Sequence, residues 1–341
     1  MTTETRKPAR SAMTCGRRLV RRTGGGSFLL MMIVTIAGIA AFLYSGRDSF
    51  NRAYTARVHV GACGIDGDIY VFGGQTMDRG MLPDVLAFDL QRGRVSRFGD
   101  MPWPATDAIV VQCGGRLYVL GGYSGRTYSS DILVLDPQSG TIALAGELPA
   151  PLLFGAATEA AGTIYYVGGW DREAVRCEVL ALAQNLSSAD VIAELPVAVR
   201  YCAATSIGRR LYVLGGEDGG GELQATLTEI DLSTGEQRTF ATPEPISHAA
   251  LVGSGGCLYV FGGWNNGPID TIACISLEGD SIRYEQIGRL AAPSSDCVAL
   301  AMDGRLLVVG GEPTHEGKEL RVQEFDPSSG TFTLHRFRGS I

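Results

Sequence analysis

Six strand-like segments, each ending in a pair of glycines, recur along this chain at an almost fixed interval. They read IYVFGG (Ile69 to Gly74), LYVLGG (Leu117 to Gly122), IYYVGG (Ile164 to Gly169), LYVLGG (Leu211 to Gly216), LYVFGG (Leu258 to Gly263) and LLVVGG (Leu306 to Gly311). The first glycines of successive pairs are 48, 47, 47, 47 and 48 residues apart. A period that regular restricts the chain to repeat architectures, in which each unit buries an apolar face against the next. A tight glycine turn (Gly67, Gly115, Gly162, Gly256, Gly304) joins five of the segments to an earlier strand, as a hairpin requires. The fourth unit departs, with Gly208 displaced by one position. A third strand follows each pair, as in DVLAFD (Asp84 to Asp89) and DILVLD (Asp131 to Asp136). In four units an Asp-x-x-x-Gly turn, such as Asp136 to Gly140, then leads into a fourth strand. Four short strands per unit make the chain all-β.

The motif and its period resemble kelch repeats, over roughly residues 56 to 341. The resemblance implies a six-bladed β-propeller with blades at about 56–103, 104–151, 152–198, 199–245, 246–293 and 294–341. Kelch repeats typically carry a Tyr in strand three and a Trp in strand four, where this chain has Phe88, Leu135, Leu182 or Phe98. Apolar substitutes of that size can still fill contacts between blades. Strand one of blade 1 begins near Arg57, and strand four of blade 6 runs from Thr331 to Arg336. The ring is therefore expected to close by packing of blades 1 and 6 around one large core, with no exchanged strand.

Ahead of the repeats, Phe28 to Tyr44 is a run of 17 residues without a charge, near the minimum of about 17–25 that spans a bilayer. Arg6, Lys7, Arg10, Arg17, Arg18, Arg21 and Arg22 precede it against the single acid Glu4, a positive-inside signal. The expected order is a basic cytoplasmic tail (1–26), a transmembrane signal-anchor helix (27–45), a linker (46–55) and an extracytoplasmic propeller (56–341). A cleavage site at Gly38-Ile39-Ala40 is the alternative, releasing a secreted or periplasmic protein. The net charge of −7 for the whole chain becomes about −13 without residues 1–44. Such a balance argues against nucleic acid as a partner, because phosphate binding needs basic surface.

Of eight cysteines, seven lie in the repeats, an odd number that cannot all pair internally. Cys202 and Cys297 occupy one repeat position, where the other blades carry Val60, Ala108, Gly155 and Ala249, and read as small buried side chains. Cys257 and Cys274 flank one hairpin of blade 5 and are the best candidate disulfide.

Two columns of the repeat hold the candidate site. Fourteen positions before each first glycine, at the entrance to strand one beside the central channel, stand His59, Asp107, Phe154, Tyr201, His248 and Asp296. Directly after the pairs stand Gln75, Tyr123, Trp170, Glu217, Trp264 and Glu312. Strand alternation puts both columns on the face with the long loops, where binding sites usually lie. In peptide-binding kelch propellers these two positions commonly contact the ligand, so the resemblance points to the same surface. Arg57 and Arg200, near that entrance, could grip a carboxylate bidentately. Indoles beside charges suit peptide or sugar recognition, or can pack over the loop bases. The ring side chains could equally tie down backbone and water. His59 and His248 lie two blades apart, too far for a metal without bridging partners. No nucleophile elbow, Walker loop or dinucleotide fingerprint is present, and no metal or cofactor is expected.

Two functions are consistent with these residues. The first is a membrane-anchored module whose long-loop face binds a protein or peptide. The second is a sugar-binding or sugar-active propeller, since the resemblance also reaches exported kelch propellers that epimerise sialic acid; His59, His248, Asp107, Asp296, Glu217 and Arg200 would then be the acid-base and binding groups. A deep mouth with converging His and Asp would favour the enzyme. A shallow, aromatic-rimmed face would favour a partner protein.

Overall fold

The computed structural model describes residues 57–76, 80–313 and 320–339. The tail, anchor helix and linker expected at 1–26, 27–45 and 46–55 lie outside the described residues. Among the described residues no helix is long and apolar enough to cross a membrane.

Each repeat forms one antiparallel sheet with its strands in sequence order. Blade 1 holds Gly61–Ile65, Asp68–Phe72, Asp84–Asp89 and Arg94–Asp100; blade 2 holds Ile109–Cys113, Arg116–Leu120, Asp131–Asp136 and Thr141–Glu147. The four later blades repeat this plan from Ala156–Ala160 to Thr331–His335. The first strands of consecutive blades lie side by side, and those of blades 6 and 1 meet to complete the ring.

The alternation of the second strand explains why a ring forms. In blade 1, Ile69 and Val71 point toward blade 6, while Tyr70 and Phe72 point toward blade 2. In blade 2, Leu117 and Val119 meet blade 1, and Leu120 meets blade 3. A strand apolar on both faces needs a neighbour on each side, and only a closed ring supplies that for every copy. The expectation of one large core is corrected accordingly. Among the described residues, buried side chains form six separate clusters, each shared by two adjacent blades. Phe88, Leu135 and Leu182, which replace the usual outer-strand aromatics, are all buried in them.

Blades 1 and 6 pack against each other with no exchanged strand, but one strand that the sequence reading did not foresee joins the ring where it closes. Arg338–Gly339 pairs in parallel with Arg94 and Val95, so a fifth strand from the C-terminus lies on the outer edge of blade 1. Blade 1 keeps its own four strands, so this is an addition and not an exchange. The physical reason is the open edge of Arg94–Asp100, whose backbone groups would otherwise have no partner strand. Arg338 N–H donates to Gly93 O at 2.9 Å, and Phe337 packs edge-to-face on Phe88 with centroids 4.9 Å apart.

The glycine pairs join consecutive blades. The N–H of the second glycine donates to the carbonyl of the loop leading into the next blade: Gly74 to Ala105, Gly169 to Val199, Gly216 to Ile246 and Gly263 to Ser294, each at 2.8 Å. Both glycines of every pair have positive φ, a backbone that glycine adopts without steric cost and that lets neighbouring blades approach closely.

Cys257 and Cys274 form a disulfide between strands two and three of blade 5, with Cα atoms 5.9 Å apart. Cys202 and Cys297 are free and buried, and burial pushes both thiols up to about 12.

Candidate functional site

All six residues expected at the channel mouth line one cavity of about 270 Å³ on the channel axis. Each is half-buried, and each has φ between 52° and 59° although none is glycine. Left-handed backbone is unusual for Phe and Tyr. Here it turns the N–H groups around the ring. Asp107 N–H donates to His59 O at 3.2 Å, Tyr201 to Phe154 O at 2.5 Å, His248 to Tyr201 O at 2.9 Å and Asp296 to His248 O at 3.1 Å. The mouth is thus laced blade to blade by backbone bonds before any side chain contributes.

The side chains divide the ring into two arcs. On blades 3 to 5 the rings stack, with centroids 4.6 Å apart for Phe154 and Tyr201 and 4.0 Å for Tyr201 and His248. On blades 6, 1 and 2 stand Asp296, His59 and Asp107, with His59 Nδ1 3.3 Å from Asp107 Oδ1. Thr106 Oγ1 donates to the other Asp107 oxygen at 2.7 Å. Burial pushes the Tyr201 phenol up to about 12; Arg200 opposes this, and Asp107, Glu217 and Asp296 reinforce it.

Above the ring, the residues after the glycine pairs bridge to the residues just before the ring positions: Gln75 to Val58, Tyr123 to Thr106, Trp170 to Leu153, Glu217 to Arg200 and Trp264 to Ser247. The Glu312 backbone pairs with Ser295 in the same way. Arg200 Nη2 lies 3.5 Å from Glu217 Oε2. Ser247 Oγ is 3.4 Å from Glu217 Oε1 and 2.8 Å from His248 Nδ1, so a hydrogen-bonded chain runs from Arg200 to the ring. Trp264 is 40% exposed. Trp170 is half-buried and meets Tyr128 edge-on, while Tyr128 stacks on Tyr123 and lies under Arg172.

Arg57 does not serve the mouth. It does grip a carboxylate with two nitrogens, but the carboxylate is Asp84 of its own blade, at 3.1 and 3.0 Å, and its side chain is wholly buried. A third bond, to Gly73 O at 3.1 Å, ties it beneath the glycine pair.

Four residues at the site escaped the sequence reading. Thr106 and Ser247 stand one column before the ring positions, and inspection of that column would have found them. Tyr128 and Arg172 lie in loops of differing length, where no repeat register exists to compare. Among the described residues, no three His, Cys, Asp or Glu side chains are grouped as a metal site would need. The mouth combines a cavity in which His and Asp converge with a rim of aromatic side chains.

The KLHDC2/KLHL20/DRC7 Kelch-repeats domain matches residues 47–185, and the Kelch motif matches residues 245–281. No curated protein matches the chain. Chains of solved structures that match number 775, so the fold is common and discriminates poorly among functions. One is the structure of YjhT, 15% identical, with a TM-score of 0.69 over 82% of this chain and 97% of that one. At that identity the likeness concerns the fold alone. With six repeats in register, six matching sheets in a ring and two kelch profiles on the sequence, the chain belongs to the kelch-repeat β-propeller family.

Proposed function

We propose that this propeller is a membrane-anchored, extracytoplasmic recognition module that binds a protein or peptide across its long-loop face. The observation that carries the reading is the aromatic rim. Tyr123, Tyr128, Trp170 and Trp264 stand on loops around the mouth, and Trp264 leaves much of its indole in water. Large rings on a rigid scaffold bind a partner with little loss of conformational freedom. The polar groups beneath are tied to one another, as in the Arg200–Glu217–Ser247–His248 chain, which suits a fixed recognition surface. The kelch fold generally serves protein binding or scaffolding.

Trp264→Ala should weaken partner binding at least tenfold while changing stability by less than about 1 kcal/mol, because so much of the ring is already solvated. Trp170→Ala should weaken binding too, with a larger stability loss from the lost contact with Tyr128. A photo-crosslinking residue at 264 in living cells should yield one defined protein adduct, and the same residue at Leu144 on the outer strand should not. Equal adducts from both positions would defeat the reading.

The extracytoplasmic side is supported by the Cys257–Cys274 disulfide, since such bonds persist in oxidising compartments. The anchor rests on the apolar run Phe28 to Tyr44. Protease added to cells with a permeabilised outer layer should remove a C-terminal epitope. Protection of that epitope would reverse the topology.

A sugar-binding or sugar-active propeller is the second reading, favoured by the convergence of His59 and Asp107 in the mouth cavity. Thermal stabilisation by neutral or acidic sugars, sialic acid included, would select it.

A further inference from the structure

Eighteen positions before the first glycines of blades 2 to 6, on the links between blades, stand Trp103, Ala150, Val197, Glu244 and Ala292. Trp103 packs with Ile142 against the cluster shared by blades 1 and 2. At the next junction Ala150 takes the place of Trp103. Ala189 takes the place of Ile142, since Leu182 pairs with Ala189 as Leu135 pairs with Ile142. Two large side chains are therefore missing together. A groove of about 220 Å³ is open there, lined among others by Pro149, Ala150, Leu152, Leu180, Ala189 and Val191. At the following junction Val197 leaves only about 40 Å³, and at the one after that Glu244 puts a charge beside the cavity. Where Ala292 repeats the small residue, Phe332 of blade 6 packs on the shared cluster. On the partner-binding reading above, we propose that the groove between blades 2 and 3 takes the indole of a tryptophan on the partner, in the place that Trp103 fills for this chain one junction earlier.

The walls suit that occupant. Val191 is 56% exposed at the lip, so an inserted ring would take from water an apolar surface that the fold itself leaves uncovered. Asp171, Arg176 and Glu178 line the groove as well. Arg176 Nη1 lies 3.3 Å from Asp171 Oδ2, and its Nε donates to Glu178 Oε2 at 3.1 Å. Asp171 Oδ1 accepts the N–H groups of Glu173 and Ala174 at 2.9 and 2.8 Å, which holds this rim in place. Two carboxylates against one guanidinium leave the rim negative. The edge of an aromatic ring is positive, and the indole N–H donates without needing a donor in return, so ring and rim are complementary in charge. A charged head lowered into the groove would instead lose its hydration against Leu152 and Leu180. Asp171 directly follows Trp170, so the groove adjoins the aromatic rim and one partner segment can reach both.

The test uses the full-length chain and the variants Ala150→Trp and Ala189→Ile. Each installs a side chain that the junction of blades 1 and 2 already carries, and circular dichroism checks that the sheets form. N-acetyltryptophanamide is titrated by saturation-transfer NMR, with N-acetylalaninamide as the control, and random peptides displayed on phage are panned against the same proteins. The native chain should bind the tryptophan amide and not the alanine amide. Ala150→Trp should bind it at least tenfold more weakly, with Ala189→Ile in between. Tryptophan-bearing peptides should be enriched on the native chain and lost on Ala150→Trp. Peptides that bind the native chain and both variants equally would overturn the groove and leave the partner reading standing. Binding of the tryptophan amide that Ala150→Trp abolishes, with no peptide enriched, would uphold the groove and remove the partner reading. If neither ligand binds, both fall.

Discussion

Replacing Glu229 by alanine should destabilise the propeller by about 3 kcal/mol. Glu229 lies on Thr226–Asp231, the third strand of blade 4, and its side chain is only 2% exposed. Cross-strand register sets it opposite Tyr212 on one side and Arg238 on the other. Arg210 Nη1 donates to Oε1 at 2.8 Å, and the Tyr212 hydroxyl donates to the same oxygen at 3.2 Å. Arg238 donates Nε to Oε2 at 2.7 Å and adds a second bond through Nη2. Alanine would leave two guanidinium groups and a hydroxyl without their acceptor. Arg210 and Arg238 are 46% and 41% exposed, so water replaces part of the loss and the cost falls at the lower end of the roughly 3–5 kcal/mol for breaking a buried pair. The damage also reaches the neighbouring blade, because Arg238 Nη1 donates to Gly279 O at 3.0 Å. Glu229→Gln keeps the volume and one acceptor oxygen and should lose about half as much. Urea unfolding of the two variants measures this; an alanine variant within about 0.5 kcal/mol of the native chain would show that the clamp contributes nothing.

Gly215→Ala should cost more than about 3 kcal/mol, whereas Gly256→Ala should cost only about 1–2 kcal/mol. Both positions have left-handed backbone, with φ of +58° and +81°. They differ in what a methyl group would meet. At Gly215 a Cβ would lie 2.0 Å from Ile246 O and 2.9 Å from its Cγ2, whereas at Gly256 nothing lies within 4 Å. The Ile246 carbonyl cannot swing aside, because it accepts the Gly216 N–H at 2.8 Å. The alanine at 215 would therefore push blade 5 away from blade 4, in addition to straining its own backbone. Comparison of the two unfolding free energies separates the shared conformational cost from the interblade clash. Equal costs would mean that the glycine pairs serve only local turns.

Most of the architecture could be read from residue spacing, because each blade is a local object. Hairpin turns, alternation and the 47- to 48-residue step are properties of short stretches of chain. The site columns were legible for the same reason: equal repeat positions occupy equal places around one axis, so His59, Asp107, Phe154, Tyr201, His248 and Asp296 meet at one cavity. Arg57 shows where that logic ends. Its place just before His59 put its backbone near the mouth, but the side chain could turn to Asp84, and the choice depends on a carboxylate 27 residues away. The C-terminal strand is a second case. Nothing in Arg338–Gly339 marks it as a strand; it pairs because ring closure brings it to the open edge at Arg94 and Val95.

The pattern in this sequence specified the number of blades, the strand order within each and the two residue columns that face the channel, since all three follow from periodicity along the chain. Folding in three dimensions settled the rest. It divided the mouth into a stacked aromatic arc and a carboxylate arc, turned Arg57 inward and laid Arg338–Gly339 on blade 1. Each of those outcomes is a contact between chemically particular side chains or edges far apart in sequence, and periodicity carries no information about which of them will meet.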